Sequence, residues 1–97
     1  MNKSCQKKLE KILEGSKLNL NQMYLCKNPF TNVSLALTGE HASVYNYIIE
    51  SYRKYYFEQQ LGKNASSNKL TKHMRDYDKA REVFLFLNPT AYRLLVD

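Results

Sequence analysis

Between Thr38 and Leu61 apolar and aromatic positions recur at the spacing of an α-helix, and no Pro or Gly falls between Glu40 and Leu61. At about 100° per residue, Ala42, Tyr45, Ile48, Ile49, Tyr52 and Tyr56 share one face. Ser43, Tyr47, Glu50, Ser51 and Lys54 fall on or near the opposite one. Thr38 has the side chain of an N-cap, and Gly62 suits the left-handed position just past a C-terminus. The pattern predicts one long central helix with an apolar stripe that the rest of the chain covers. Tyr45, Tyr52 and Tyr56 are expected in the core, with their hydroxyls at its rim.

The remaining segments read as cover for that helix. Cys5, Leu9, Ile12 and Leu13 repeat at helical spacing, predicting a first helix from about Cys5 to Glu14, capped by Ser4 and stopped by Gly15. Lys27-Asn28-Pro29-Phe30-Thr31-Asn32 is a turn signal, with Pro fixing φ after Asn. Val33, Leu35 and Leu37 then alternate with Ser34 and Ala36, a strand pattern. A hairpin of Met23–Cys26 against Val33–Leu37 is expected to lie on the helices, since two strands alone are marginal in water. After a polar loop, Lys63 to Asn68, a helix from Lys69 to Leu87 is expected, capped by Ser67 or Asn68. Leu70, Met74, Tyr77, Ala80, Phe84 and Leu87 form its inner face, and a break near Arg75 with Asp76 as a new cap is the alternative. Asn88-Pro89 opens a last helix to Val96, with Ala91, Leu94 and Leu95 inward. The expected fold is mostly α: a single small domain of three to four helices around a long central one, plus a short β-hairpin, with an α+β description as the alternative.

Charge changes the picture by its placement. The 97 residues carry fifteen Lys and Arg against nine Asp and Glu, a net charge of +6. The surplus sits in the flanks. Residues 1–27 hold six basic and two acidic side chains, and residues 63–97 hold seven and four, whereas residues 28–62 hold two and three. Such a balance favours anionic partners. With no secretory apolar segment or bilayer-length apolar run in view, the expected setting is a cytoplasm with reduced thiols, and no membrane partner is expected. Cys5 and Cys26 set no disulfide framework.

Three places are candidates for function. Val83-Phe84-Leu85-Phe86-Leu87 is apolar all round, so either the last helix buries its outer side or Phe86, with Val83, is a contact for a protein partner or a second copy. Tyr47, on the polar face of the central helix, is a further contact candidate. Lys72, Arg75 and Lys79 share the outer side with Phe86, at a spacing that can follow phosphates. Lys7, Lys8 and Lys11 extend that stripe if the first helix packs beside it. Arg81, near the inner face, needs a partner, with Tyr77 and Asp78 at hand. His41, His73 and the two cysteines have no metal-ligand spacing. No catalytic triad or Gly-rich phosphate loop is evident, so no cofactor, metal, small-molecule substrate or enzyme activity is expected.

Two stretches carry a resemblance. One is Asn28-Pro29-Phe30-Thr31 with the alternating Val33–Leu37 and the helix bearing Tyr45-Asn46-Tyr47-Ile48. The other is Tyr77-Asp78-Lys79-Ala80-Arg81 with Phe84, then Asn88-Pro89-Thr90-Ala91-Tyr92 and Leu94-Leu95-Val96-Asp97. Together they resemble short uncharacterised proteins encoded by tailed bacteriophages. The resemblance implies a phage accessory protein in the cytoplasm of a bacterial host, or a minor virion component. It assigns no functional residues. The leading expectation is a non-enzymatic protein-interaction module, with nucleic-acid binding and a virion structural role as alternatives.

Overall fold

A computed structural model describes residues 1–96; Asp97, the last residue of the pattern noted above, lies outside the described residues. Helix α1 (Lys3–Glu14) is followed by strands β1 (Met23–Lys27) and β2 (Ser34–Thr38), helix α2 (Gly39–Gln60), a 3-10 turn (Gly62–Asn64), helix α3 (Ser67–Leu87) and helix α4 (Pro89–Leu95). The fold is mostly helical with one short antiparallel hairpin, as the periodicities indicate.

Local chemistry accounts for most boundaries. Thr38 caps α2, accepting from the His41 N–H at 3.5 Å, and Gly62 takes φ +58° beyond its end, the conformation glycine adopts without strain. Asn88 caps α4, accepting from the Ala91 N–H, and Pro89 occupies the first turn. Two caps differ from expectation. Asn2, not Ser4, caps α1, accepting from the Cys5 N–H at 2.8 Å. Ser66, not Ser67 or Asn68, caps α3, accepting from the Lys69 N–H. Both are cap-forming residues lying slightly upstream of those read from sequence. Helix α3 runs through Arg75 unbroken, and Asp76 is engaged by Lys8 rather than capping a new segment.

The hairpin pairs Tyr24 with Leu37 and Cys26 with Leu35 on its inner face, and Met23 with Thr38 and Leu25 with Ala36 on its outer face. One apolar cluster joins the elements: Cys5 and Ile12 of α1, Cys26 and Leu37 of the hairpin, Ala42, Val44, Tyr45 and Ile48 of α2, Ala80, Val83 and Phe84 of α3, and Ala91 and Leu95 of α4. Tyr45 meets Phe84 with ring centroids 5.9 Å apart.

All the α2 members of this cluster come from the first ten residues of the helix, which neighbours enclose on several sides. Gly39 lies so close to the preceding loop that a Cβ there would stand 1.9 Å from the Asn19 carbonyl oxygen. The Ser43 hydroxyl is bonded to the Gly39 carbonyl and to the Ser16 hydroxyl, each at 2.6 Å. The Tyr45 hydroxyl donates to the Lys27 carbonyl at 3.0 Å. The second half of α2 breaks the expected stripe. Tyr52 and Tyr56 are exposed, and the residues buried there are the polar Ser51 and Glu58. At 22 residues α2 outruns α1 and the hairpin, so its second half is left with α3 and one loop. Leu94 of α4 is likewise exposed, because a seven-residue helix turns only Ala91 and Leu95, one turn apart, inward.

Candidate functional site

The exposed half of α2 and the hairpin loop build an aromatic surface. The loop is held by Asn28. Its Oδ1 accepts from the Phe30 and Thr31 N–H groups at 2.8 and 3.2 Å, its Nδ2 donates to the Leu95 carbonyl at 2.7 Å, and its N–H donates to the Val33 carbonyl. Asn32 closes the turn at φ 63°, a region Asn tolerates. The Asn28-Pro29-Phe30-Thr31 stretch is thus a positioning device. It holds Phe30 edge-on to Tyr52, centroids 5.9 Å apart and planes at 82°. Tyr52 lies nearly parallel to Tyr56 at 6.4 Å and touches Tyr77 of α3 at 5.8 Å.

A groove of about 680 Å³ runs between the loop and the helix, lined by Pro29, Phe30, Ile49, Tyr52, Arg53, Tyr56, Phe57 and Gln60. A smaller recess of about 130 Å³ opens behind Phe30 and Tyr52, floored by Tyr45, Ile48, Tyr77 and Leu95. The rings are strongly exposed: Phe30 74 %, Phe57 70 %, Tyr56 53 % and Tyr52 38 %. Arg53 is the one charged side chain of the groove lining, and it has no carboxylate within 4 Å among the described residues. The far end of α2 is fastened by the buried Glu58, whose Oε2 accepts from the Ser66 N–H at 3.0 Å.

The sites expected from sequence fare unequally. Val83 is in the core with no exposed surface, so it is no partner contact. Phe86 remains outside at 58 % exposure, with Leu85 beside it, so the last helix does not bury the outer side of this segment. Tyr47 is half-buried against the core, and its hydroxyl accepts from the Lys8 ammonium at 2.9 Å, an internal contact where an external one was expected. Lys8 also bridges to Asp76 at 2.7 Å. Burial disfavours its charge, but the bonds to Asp76 and Tyr47 outweigh that and raise its pKa above the ordinary lysine value.

Helix α1 does pack beside α3, bringing Lys7, Lys8, Lys11 and Lys79 around one shallow concavity, together with Glu10 and Glu14. Lys79 is bonded to Glu82 at 3.1 Å, whereas Lys7, Lys11, Lys72 and Arg75 are exposed. The Lys79 bond first, then the Cys5 thiol, holds the Glu82 carboxyl below its ordinary pKa. Burial, then Glu82, raises the Cys5 thiol, and burial raises Cys26; both cysteines are free and protonated at neutral pH. Arg81 donates to the Tyr92 hydroxyl at 2.9 Å and lies over the rings of Tyr77 and Tyr92, so the partner it needs comes from α4 as well as from Tyr77. His41 meets Asn88 at 3.3 Å. Among the described residues no three His, Cys, Asp or Glu side chains gather as a metal site, and no helix is long and apolar enough to cross a membrane.

Phe30, Arg53 and Phe57 were not singled out from sequence. The available signal was the run Tyr55-Tyr56-Phe57. Three adjacent aromatics span about 200° of a helix, more than a single core-facing stripe can bury. Comparison with protein-family models, with curated proteins and with solved structures gave no match.

Proposed function

We propose that the chain is a small non-enzymatic protein-interaction module, in the setting its sequence resembles: an accessory protein of a tailed bacteriophage acting in the host cytoplasm. The observation that carries this reading is the aromatic face of α2. Large rings left in water on a chain this short are an unpartnered contact surface, and aromatic side chains beside an arginine are the residues that dominate protein–protein binding energy. The face is also pre-organised, because the Asn28 bonds fix the loop and Phe30 braces Tyr52, so binding would order little that is not already ordered. Phe86 with Leu85 adds a smaller apolar spot on the outer side of α3.

The test is affinity capture from phage-infected cells with three forms of the protein: unchanged, Phe57→Glu, and the charge reversal Lys72→Glu/Arg75→Glu. Partners retained by the charge reversal and lost by Phe57→Glu support the reading. Partners indifferent to Phe57→Glu contradict it. The second reading, nucleic-acid binding, is favoured by the lysines that α1 and α3 bring together. It requires a gel shift that fades steeply with salt and is abolished when Lys7→Glu/Lys11→Glu is added to the charge reversal. Two of those lysines, Lys8 and Lys79, already have carboxylate partners, which ranks it second.

A further inference from the structure

We infer that the face formed by Phe30, Ile49, Tyr52, Arg53, Tyr56 and Phe57 pairs with the same face of a second copy of this chain, as a two-fold dimer. This rests on the reading of that face as a protein-contact surface and names its occupant.

Area is the first argument. The four exposed rings leave rather more than two whole aromatic side chains in water, or roughly 450 Å² at about 200 Å² per ring. Two copies contribute about twice that from the rings alone. With Ile49 and the exposed Leu25 beside them, the total passes the approximately 1,000 Å² a specific interface needs. Shape is the second. A two-fold interface uses one patch on both subunits, so the patch must carry both projections and recesses. Here the protruding Phe30 and Phe57 flank a 680 Å³ groove with a 130 Å³ recess behind it.

Charge is the third. Two copies at +6 repel, and the contact that tolerates this best is the least charged one. The face belongs to residues 28–62, whose two basic and three acidic side chains leave that third of the chain near neutral. Within it Arg53 has no carboxylate within 4 Å among the described residues, while Glu50, three residues earlier, holds only an exposed bridge to Lys54, the kind worth a few tenths of a kcal/mol. In an antiparallel pair of α2 helices crossing near Tyr52, Arg53 of each copy comes opposite Glu50 of the other. A strongly acidic partner would instead call for several free cations, and the groove lining offers one.

Sedimentation velocity across micromolar to near-millimolar concentration tests this. The wild type is expected to pass from 11.4 kDa to about twice that mass. Phe57→Glu, at a highly exposed position that leaves folding intact by circular dichroism, should weaken dimerisation about 30-fold or more. Arg53→Glu should weaken it too, and adding Glu50→Arg should restore it. Phe86→Asp should leave it unchanged. A wild type that stays at 11.4 kDa throughout overturns the dimer alone, leaving the contact surface to the capture comparison. A dimer that Phe57→Glu leaves intact overturns both. A monomer that shifts a single-stranded oligonucleotide through Phe57 overturns the dimer in favour of base stacking.

Discussion

The two halves of α2 both carry large aromatic side chains, and their surroundings are opposite. From Gly39 to Ile48 the helix is enclosed by the Asn19 loop, α1, the hairpin and α3, and Ala42, Val44, Tyr45 and Ile48 are buried. From Ile49 to Gln60 it lies against α3 and the Phe30 loop, burying Ser51 and Glu58 while Tyr52, Tyr56 and Phe57 face water. Hydrophobic surface stabilises a fold only where something covers it. The first half is therefore the structural part of the helix. The second uses the rigidity this confers to present rings at fixed positions.

The largest effect should come from the enclosed end. Gly39→Ala places a methyl against a backbone carbonyl that has no flexible side chain to move aside. Urea denaturation should show loss of at least about 3 kcal/mol, or no cooperative unfolding at all. A loss under about 1 kcal/mol would mean the Asn19 loop yields easily and the enclosure is loose. Ile48→Ala, at the bottom of the core, should lose about 2–5 kcal/mol by the same measurement.

An intermediate effect is expected at Lys8, which ties α1 to Asp76 of α3 and Tyr47 of α2. Lys8→Met should lose about 1–3 kcal/mol at neutral pH, since it leaves Asp76 without its cation. The pH dependence has a definite sign. The folded-state pKa of Lys8 is raised above 10.5, so the contribution is complete below that value and disappears as pH rises through the folded pKa. The stability gap between wild type and Lys8→Met should hold from neutrality to pH 10 and narrow above it. Glu82 acts in the opposite range. Its folded pKa lies below 4.5, so its contribution is present above that value and fades as pH falls through the folded pKa.

How much of this was legible from sequence follows from what each signal reports. Caps and periodicity are local, and they placed all four helices, the hairpin, the Thr38, Asn88 and Gly62 boundaries and the one-sided burial of α1. Coverage is not local. Nothing in the order of residues says that α1 and the hairpin end before α2 does, so Tyr52 and Tyr56 were assigned to a core that does not reach them. Val83 failed for the same reason: an all-round apolar segment marks which side chains are apolar, not which side finds a neighbour. That Phe86 points away from the inner face of α3 was legible by simple rotation; that α4 leaves it uncovered was not. Phe30 was not, because its role arises from the Asn28 bonds and from a meeting with Tyr52 twenty-two residues later.

The smallest stability change should come from the aromatic face itself, and it tests the division of α2 most directly. Urea denaturation of the Tyr56→Ser/Phe57→Ser double variant should be compared with wild type at a concentration where both are monomeric, so that association does not contribute. A midpoint shift corresponding to no more than about 0.5 kcal/mol, the usual range for surface substitutions, is the expected result. A loss approaching that of Ile48→Ala would show that the rings hold the fold together, and would contradict the assignment of this half of α2 to recognition.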